Sequence, residues 1–97
     1  MLRAKYGSPK SVKNMLRNLD GLMHLARKGD AVAHSIFIDL NNALYFEGVL
    51  SFKQRKYLML WLEGYRQIDI AAQHRIAERN VRSTINRGIR NIIDYLQ

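Results

Sequence analysis

Between Ala77 and Leu96, the apolar residues Val81, Ile85, Ile89, Ile92 and Leu96 recur every three or four positions. That period lays one apolar stripe along one face of a helix. Arg79, Arg82, Asn86, Arg87 and Arg90 fall on the opposite face. A shorter helical pattern, Gln67 to His74, precedes it after only a brief break, with Ile68, Ile70, Ala71 and Ala72 apolar. No stretch of the chain alternates apolar and polar residues as a half-buried strand does, and the one proline is Pro9. These features predict an all-α fold of about five helices, forming a single domain over residues 1–97.

Upstream, residues 1–7 are short, basic and aperiodic, and read as a mobile arm, either a frayed terminus or a contact to a polyanion. Residues 8–48 read as two helices. The first starts at Ser8-Pro9 or Ser11, since serine suits the N-cap and proline the first helical turn. Its apolar face is Val12, Met15, Leu16, Leu19, Leu22, Met23 and Ala26, with Gly21 as the weak point and Lys28-Gly29 as the stop. Asp30 caps the second, which runs to about Glu47-Gly48 on a stripe of Val32, Ala33, Ile36, Phe37, Leu40, Ala43 and Leu44. Ser51 and Gln54 have the spacing of a capping box for a third helix with Tyr57, Leu58, Leu60, Trp61 and Leu62 on its core side, ending at Gly64. Trp61 reads as a core anchor or as a surface on which a base could stack.

Charge narrows the choice of partner. The chain of 97 residues carries 16 Lys and Arg against 8 Asp and Glu, a net charge of +8. The segment 29–50 contains only acids, Asp30, Asp39 and Glu47, whereas residues 74–97 hold five arginines. A basic balance of this kind favours a polyanion, with nucleic acid ahead of an anionic membrane surface. There is no cysteine, which excludes disulfides and thiolate metal sites and suits a reducing cytosol. Apolar runs are too short to span a membrane. His24, His34 and His74 lie far apart without nearby ligand pairs, and no Gly-rich phosphate loop or nucleophile signature is present. The sequence therefore predicts no catalytic residues, no metal, no cofactor and no enzymatic activity. A short helix, a tight turn and a helix with a basic outer face is the pattern of a DNA-binding helix-turn-helix.

At that point the residues resemble a known family. Leu50-Ser51, Gln54-Arg55, Leu58, Glu63-Gly64-Tyr65, Gln67, Asp69-Ile70-Ala71, Ile76, Val81-Arg82-Ser83 and Arg87-Gly88-Ile89 are similar to region four of bacterial sigma factors. Small phage and prophage transcription regulators carrying that domain look closer still. The resemblance covers about residues 50–96. It implies a helix-turn-helix domain over 50–97 that reads promoter DNA and touches RNA polymerase, in a phage-encoded regulator working in the bacterial host cytoplasm. Three positions depart from the pattern: His74-Arg75 stands for the usual Leu-Gly, Ala77 for a Ser or Thr cap, and Phe52 for proline. The N-terminal half is too short, and lacks the exposed aromatics, to resemble the promoter-melting region, so a complete sigma factor is not expected.

The resemblance places base and phosphate contacts at Glu78, Arg79, Arg82 and Ser83, and the outer-face period adds Asn86 and Arg87. Arginine suits guanine, asparagine adenine, and glutamate the cytosine amino group. Arg75 sits in the turn; Lys53, Arg55 and Arg66 lie near helix starts suited to phosphates, with an Asp69 salt bridge as the competing role for Arg55. The expected function is a sequence-specific transcription regulator that binds double-stranded DNA, reading the major groove with the helix at about 77–90. The alternative is a region-four mimic that binds RNA polymerase or a sigma factor as a protein-interaction module. Ile38, Tyr45 and Phe46 fall outside their helix's stripe and predict a homodimer interface, unless the first helix covers Ile38 and Tyr45. Ile93 and Tyr95 in the last turn offer a second such surface.

Overall fold

The structure is a computed structural model and describes residues 6–97. Those residues are helical and contain no strand. In chain order the helices are α1 (Pro9–Arg17), α2 (Leu19–Arg27), α3 (Ala31–Tyr45), α4 (Phe52–Leu62), α5 (Gln67–His74) and α6 (Glu78–Leu96). No helix among the described residues is long and apolar enough to cross a membrane.

Local chemistry sets most of the helix ends. Ser8 Oγ accepts from the Ser11 N–H, and Pro9 opens α1 where its missing N–H costs nothing. Asp30 Oδ1 accepts from the Ala33 N–H at 3.0 Å to start α3. The capping box of α4 is complete: Ser51 Oγ accepts from the Gln54 N–H at 3.1 Å, and Gln54 Oε1 from the Ser51 N–H at 2.9 Å. Gly64 ends the stretch after α4 with a φ of 107°, a backbone conformation that residues with a Cβ rarely adopt.

Three boundaries differ from expectation. The stretch expected as one helix from residue 8 to 28 is two, and the break falls at Asn18, not at Gly21. Asn18 leaves helical geometry at φ −107° and ψ 25°, its N–H donates to Met15 O, and its carbonyl accepts from Leu22 to start α2. Asparagine is a weak helix former and is favoured at helix ends, although the Asn18 side chain itself makes no capping hydrogen bond here. Gly21 lies inside α2, with the Asn18 side chain lying over it. The third helix ends at Tyr45, two residues early. Tyr6, assigned to a mobile arm, is instead a core residue at 2% exposure; the remainder of that arm, residues 1–5, lies outside the described residues.

Helix α6 is the axis of the packing. Its Val81, Ile85, Ile89, Ile92 and Ile93 are buried, and α1, α3, α4 and α5 all pack against it. They bring Val12 and Leu16, Leu40 and Leu44, Tyr57 and Leu58, and Ile70 and Ala71 to one continuous core. At the crossing of α4 with α6, a Cβ on Gly88 would stand 3.4 Å from Gln54 Cβ and Leu50 Cδ2, so the two elements approach closely there. Helix α2 packs mainly on α3, extending the molecule to 44 × 24 × 23 Å. Several stripe assignments change in this packing. Ile93, expected on a free surface, is core, whereas Val32, Ile68 and Ala72, expected on apolar faces, are exposed.

Tyr6 ties the N-terminal segment to α3 through its hydroxyl, which donates to Asp39 Oδ2 at 3.2 Å. Burial first, and then the Asp39 charge, push the phenol up to about 12. A folded-state value above the unfolded one means that stability is intact below the unfolded value and lost as pH rises through the folded one. Chemical denaturation across pH 10 to 12 is therefore expected to show a loss of about 1 kcal/mol per pH unit attributable to this residue. Tyr6→Phe should remove that share of the decline; equal pH profiles for the two proteins would refute the assignment.

Candidate nucleic-acid interface

Helices α5 and α6 are joined by Arg75, Ile76 and Ala77. Ile70 and Ala71 anchor α5 to the core, and Ile76 tucks in behind them with its N–H donating to Ala71 O at 3.0 Å. Arg75, standing where the resembled family has glycine, takes the left-handed conformation itself, at φ 56° and ψ 44°. It is the one non-glycine residue with positive φ among the described residues. His74 is half-buried, its Nδ1–H donates to Ile70 O at 2.8 Å, and its ring meets Tyr57 edge-on at 5.0 Å. The imidazole thus fills a largely apolar site while its ring N–H is satisfied by the helix it belongs to. Ala77 provides no side-chain cap for α6.

The outer face of α6 carries four arginines. A shallow groove of about 590 Å³ runs along it, lined by Arg79, Arg82, Ser83, Asn86, Arg87 and Arg90 with Gln54 and Asn91. Arg79, Arg87 and Arg90 have no ion-pair partner among the described residues. From Arg79 to Arg90 the row spans about 16 Å at 1.5 Å per residue. Asn91 donates to Gln54 Oε1 at 3.1 Å, so the α4 capping box is also braced against this helix. A second depression places Lys53, from the first turn of α4, beside Ser83 and Arg87.

Arg82 is held rather than free. Its Nη2 donates to Glu78 Oε2 at 3.2 Å and its Nε to Gln67 Oε1 at 3.4 Å, so the starts of α5 and α6 share one side chain. Arg66 forms a two-pronged contact with Asp69 at 2.9 and 3.2 Å, and this hydrogen bonding holds the Asp69 carboxyl below its usual range. Both pairs are exposed, and such pairs contribute little to stability. Asp69 is thus the partner of Arg66 and not of Arg55. Arg55 is half-buried, and its Nε donates to Leu44 O at 2.8 Å near the end of α3. This contact ties Arg55 to the end of α3. Arg75 is exposed at the turn, apart from the groove on α6.

Two cations outside the expected set stand at this surface. Lys13 Nζ of α1 donates to Asn86 Oδ1 of α6 at 3.0 Å. The Arg17 guanidinium lies 3.8 Å from the centroid of the Trp61 ring, which is half-buried against the core. Such a stack contributes about 0.5–2 kcal/mol and covers one face of the ring. Helix α1 thereby adds Lys13 and Arg17, four residues apart on one side of a helix, at this surface. Arg90 was legible from helical spacing alone. Lys13 was not, because its partner is 73 residues away. A further cleft of about 720 Å³ joins Arg17 and Trp61 to Tyr65, Arg66, Gln67, Ile68 and Glu78.

No family model matches this chain, and no curated protein and no solved structure matches it.

Two substitutions at the turn are expected to stabilise the fold. Arg75→Gly removes the cost of a side chain in the left-handed region, about 1 kcal/mol. Ala77→Ser supplies the missing cap, again about 1 kcal/mol. Each is expected to raise the thermal midpoint by about 4–8 °C in a domain of this size, read by circular dichroism. No change for Arg75→Gly would mean that the turn carries no such strain.

Proposed function

We propose that this chain is a sequence-specific DNA-binding transcription regulator of the sigma region-four type, with α5 and α6 as its helix-turn-helix and α6 as the helix that enters the major groove. One observation carries the reading: an unneutralised row of Arg79, Arg87 and Arg90 on the outer face of α6, with Ser83 and Asn86 between its members. A helix has the width that the major groove admits, and its arginines reach guanine O6 and N7 together. Glu78, Arg79, Arg82 and Ser83 stand in the first two turns of α6, the part of such a helix that meets base edges. Lys53, Lys13 and the α5 start near Arg66 flank it at positions suited to phosphates. The resemblance of residues 50–96 supports the same reading, and with it a phage-encoded regulator acting in a bacterial cytoplasm and touching RNA polymerase.

Selection of bound sequences from a random duplex library tests the proposal. Enrichment of one motif is expected. With the selected site, Arg82→Ala should weaken binding by about 1–3 kcal/mol and relax one base position. Arg87→Ala should lower the slope of log affinity against log salt by about 1. No enrichment, and affinity that does not respond to salt, would sink DNA recognition and favour instead a region-four mimic that binds polymerase or a sigma factor.

A further inference from the structure

The face that α3 turns to solvent has its own pattern. Ala31, Ser35, Ile38, Asn42 and Tyr45 are all exposed and follow one another at intervals of four, three, four and three. A seven-residue repeat of this kind keeps to one line along a helix. The line contains no charged residue, in a chain whose net charge is +8. It is also apolar where it is largest: Ile38 is 41% exposed and Tyr45 58%. Helix α1 covers neither. A solvated face on a basic protein gains nothing from an exposed isoleucine at its centre, whereas a face that meets protein does.

The spacing says which partner fits. Ile38 is the middle residue of α3, and Ala31 and Tyr45, the two ends of the line, are equally far from it along the helix. A line centred in this way superposes on its own reversal, end on end and centre on centre, as a two-fold contact between identical chains requires. We infer that two copies of this chain pair antiparallel along α3, centred on Ile38. The ends of the stripe select that orientation. Antiparallel pairing sets the small Ala31 against the partner's Tyr45 at both ends. Parallel pairing would set tyrosine against tyrosine at one end and leave a gap between alanines at the other.

Two further features agree. Val32 and Phe46, 53% and 58% exposed, lie on the same flank of the stripe near opposite ends. Antiparallel pairing brings Val32 to the partner's Phe46, whose ring is braced by Tyr95 at a centroid distance of 5.6 Å. Asp39, between them on that flank, is drawn back to its own chain by the Tyr6 hydroxyl. Charge points the same way. The outer face of α6 and the exposed side of α1 are cationic and repel their own copies, whereas the neutral α3 stripe does not. The helix is about 22 Å long, so a contact one helix wide falls in the small class, near or below about 1,200 Å² in total, and the dimer is a weak one.

The chain lacks cysteine, so single cysteines report the register without background. Under mild oxidation Ile38→Cys should cross-link to itself. Ala31→Cys and Tyr45→Cys should each fail alone but form the mixed dimer when combined. Sedimentation equilibrium at ~100 µM should show a species of twice the 11.3 kDa chain mass, and Ile38→Asp should raise the dissociation constant at least tenfold. Circular dichroism checks that the variants, all at exposed positions, keep their helices. A monomer mass with no cross-link overturns the inference and leaves the face to another protein or to solvent. Cross-linking of Ala31→Cys to itself and of Tyr45→Cys to itself overturns the antiparallel register. A dimer indifferent to Ile38→Asp places the contact elsewhere, with the same effect.

Discussion

The apolar stripe of α6 is the constraint on which the rest of the structure depends. Val81, Ile85, Ile89 and Ile92 are each at most 1% exposed, and four other helices obtain their burial by lying against them. At about 1.5–3 kcal/mol for each fully buried branched side chain, this one row contributes more than any cap or ion pair in the molecule. The same row fixes the rotation of α6 about its own axis. With the stripe inward, Arg79, Ser83, Arg87 and Arg90 must point outward, so the packing of the core orients the basic face. A charged residue at Ile85 or Ile89 would therefore disturb both at once.

Electrostatics and burial divide the surface into a cationic part and a neutral one. Cations gather on α6, on the start of α4 and, through Lys13 and Arg17, on α1. The α3 stripe is neutral. Where arginines meet acids they do so in exposed pairs, Arg66 with Asp69 and Arg82 with Glu78, which orient side chains more than they stabilise the fold. The buried interior needs no such compensation, since among the described residues it contains no charged side chain and no unpaired buried side-chain polar atom. Polar side chains near the core edge satisfy backbone groups instead: Arg55 meets Leu44 O, His74 meets Ile70 O, and Gln54 meets the Ser51 N–H.

Much of this was legible before any fold was in view. The all-helical class, the Asp30 cap, the Ser51–Gln54 capping box and the Gly64 stop follow from side chains acting within four residues of themselves. So does the outward row of arginines, because helical period alone separates it from the core stripe. The placement of Glu78, Arg79, Arg82, Ser83, Asn86 and Arg87 on one helix needed nothing more. Errors arose where two local signals competed. Gly21 is the stronger helix breaker by propensity, yet the chain turns at Asn18, where the backbone leaves helical geometry and the Asn18 carbonyl starts α2. Val32 and Ile68 satisfied an apolar period but face solvent, since period shows which residues share a side and not which side is covered.

The sequence by itself determined the helices, their caps and the charge carried by each face, because these depend on neighbours three or four residues apart. Only the tertiary structure decided what lies beside what. Lys13 reaches Asn86, Arg17 covers Trp61, and Asp69 takes Arg66 instead of Arg55. Tyr6 leaves the terminal arm for the core and meets Asp39, 33 residues away. Ile38 and Tyr45 stay uncovered because α1 packs on α6 and α2, leaving the outer side of α3 open. Pairings of that kind depend on how whole helices share one core, a competition among every apolar face at once, and no local spacing in the chain encodes its outcome.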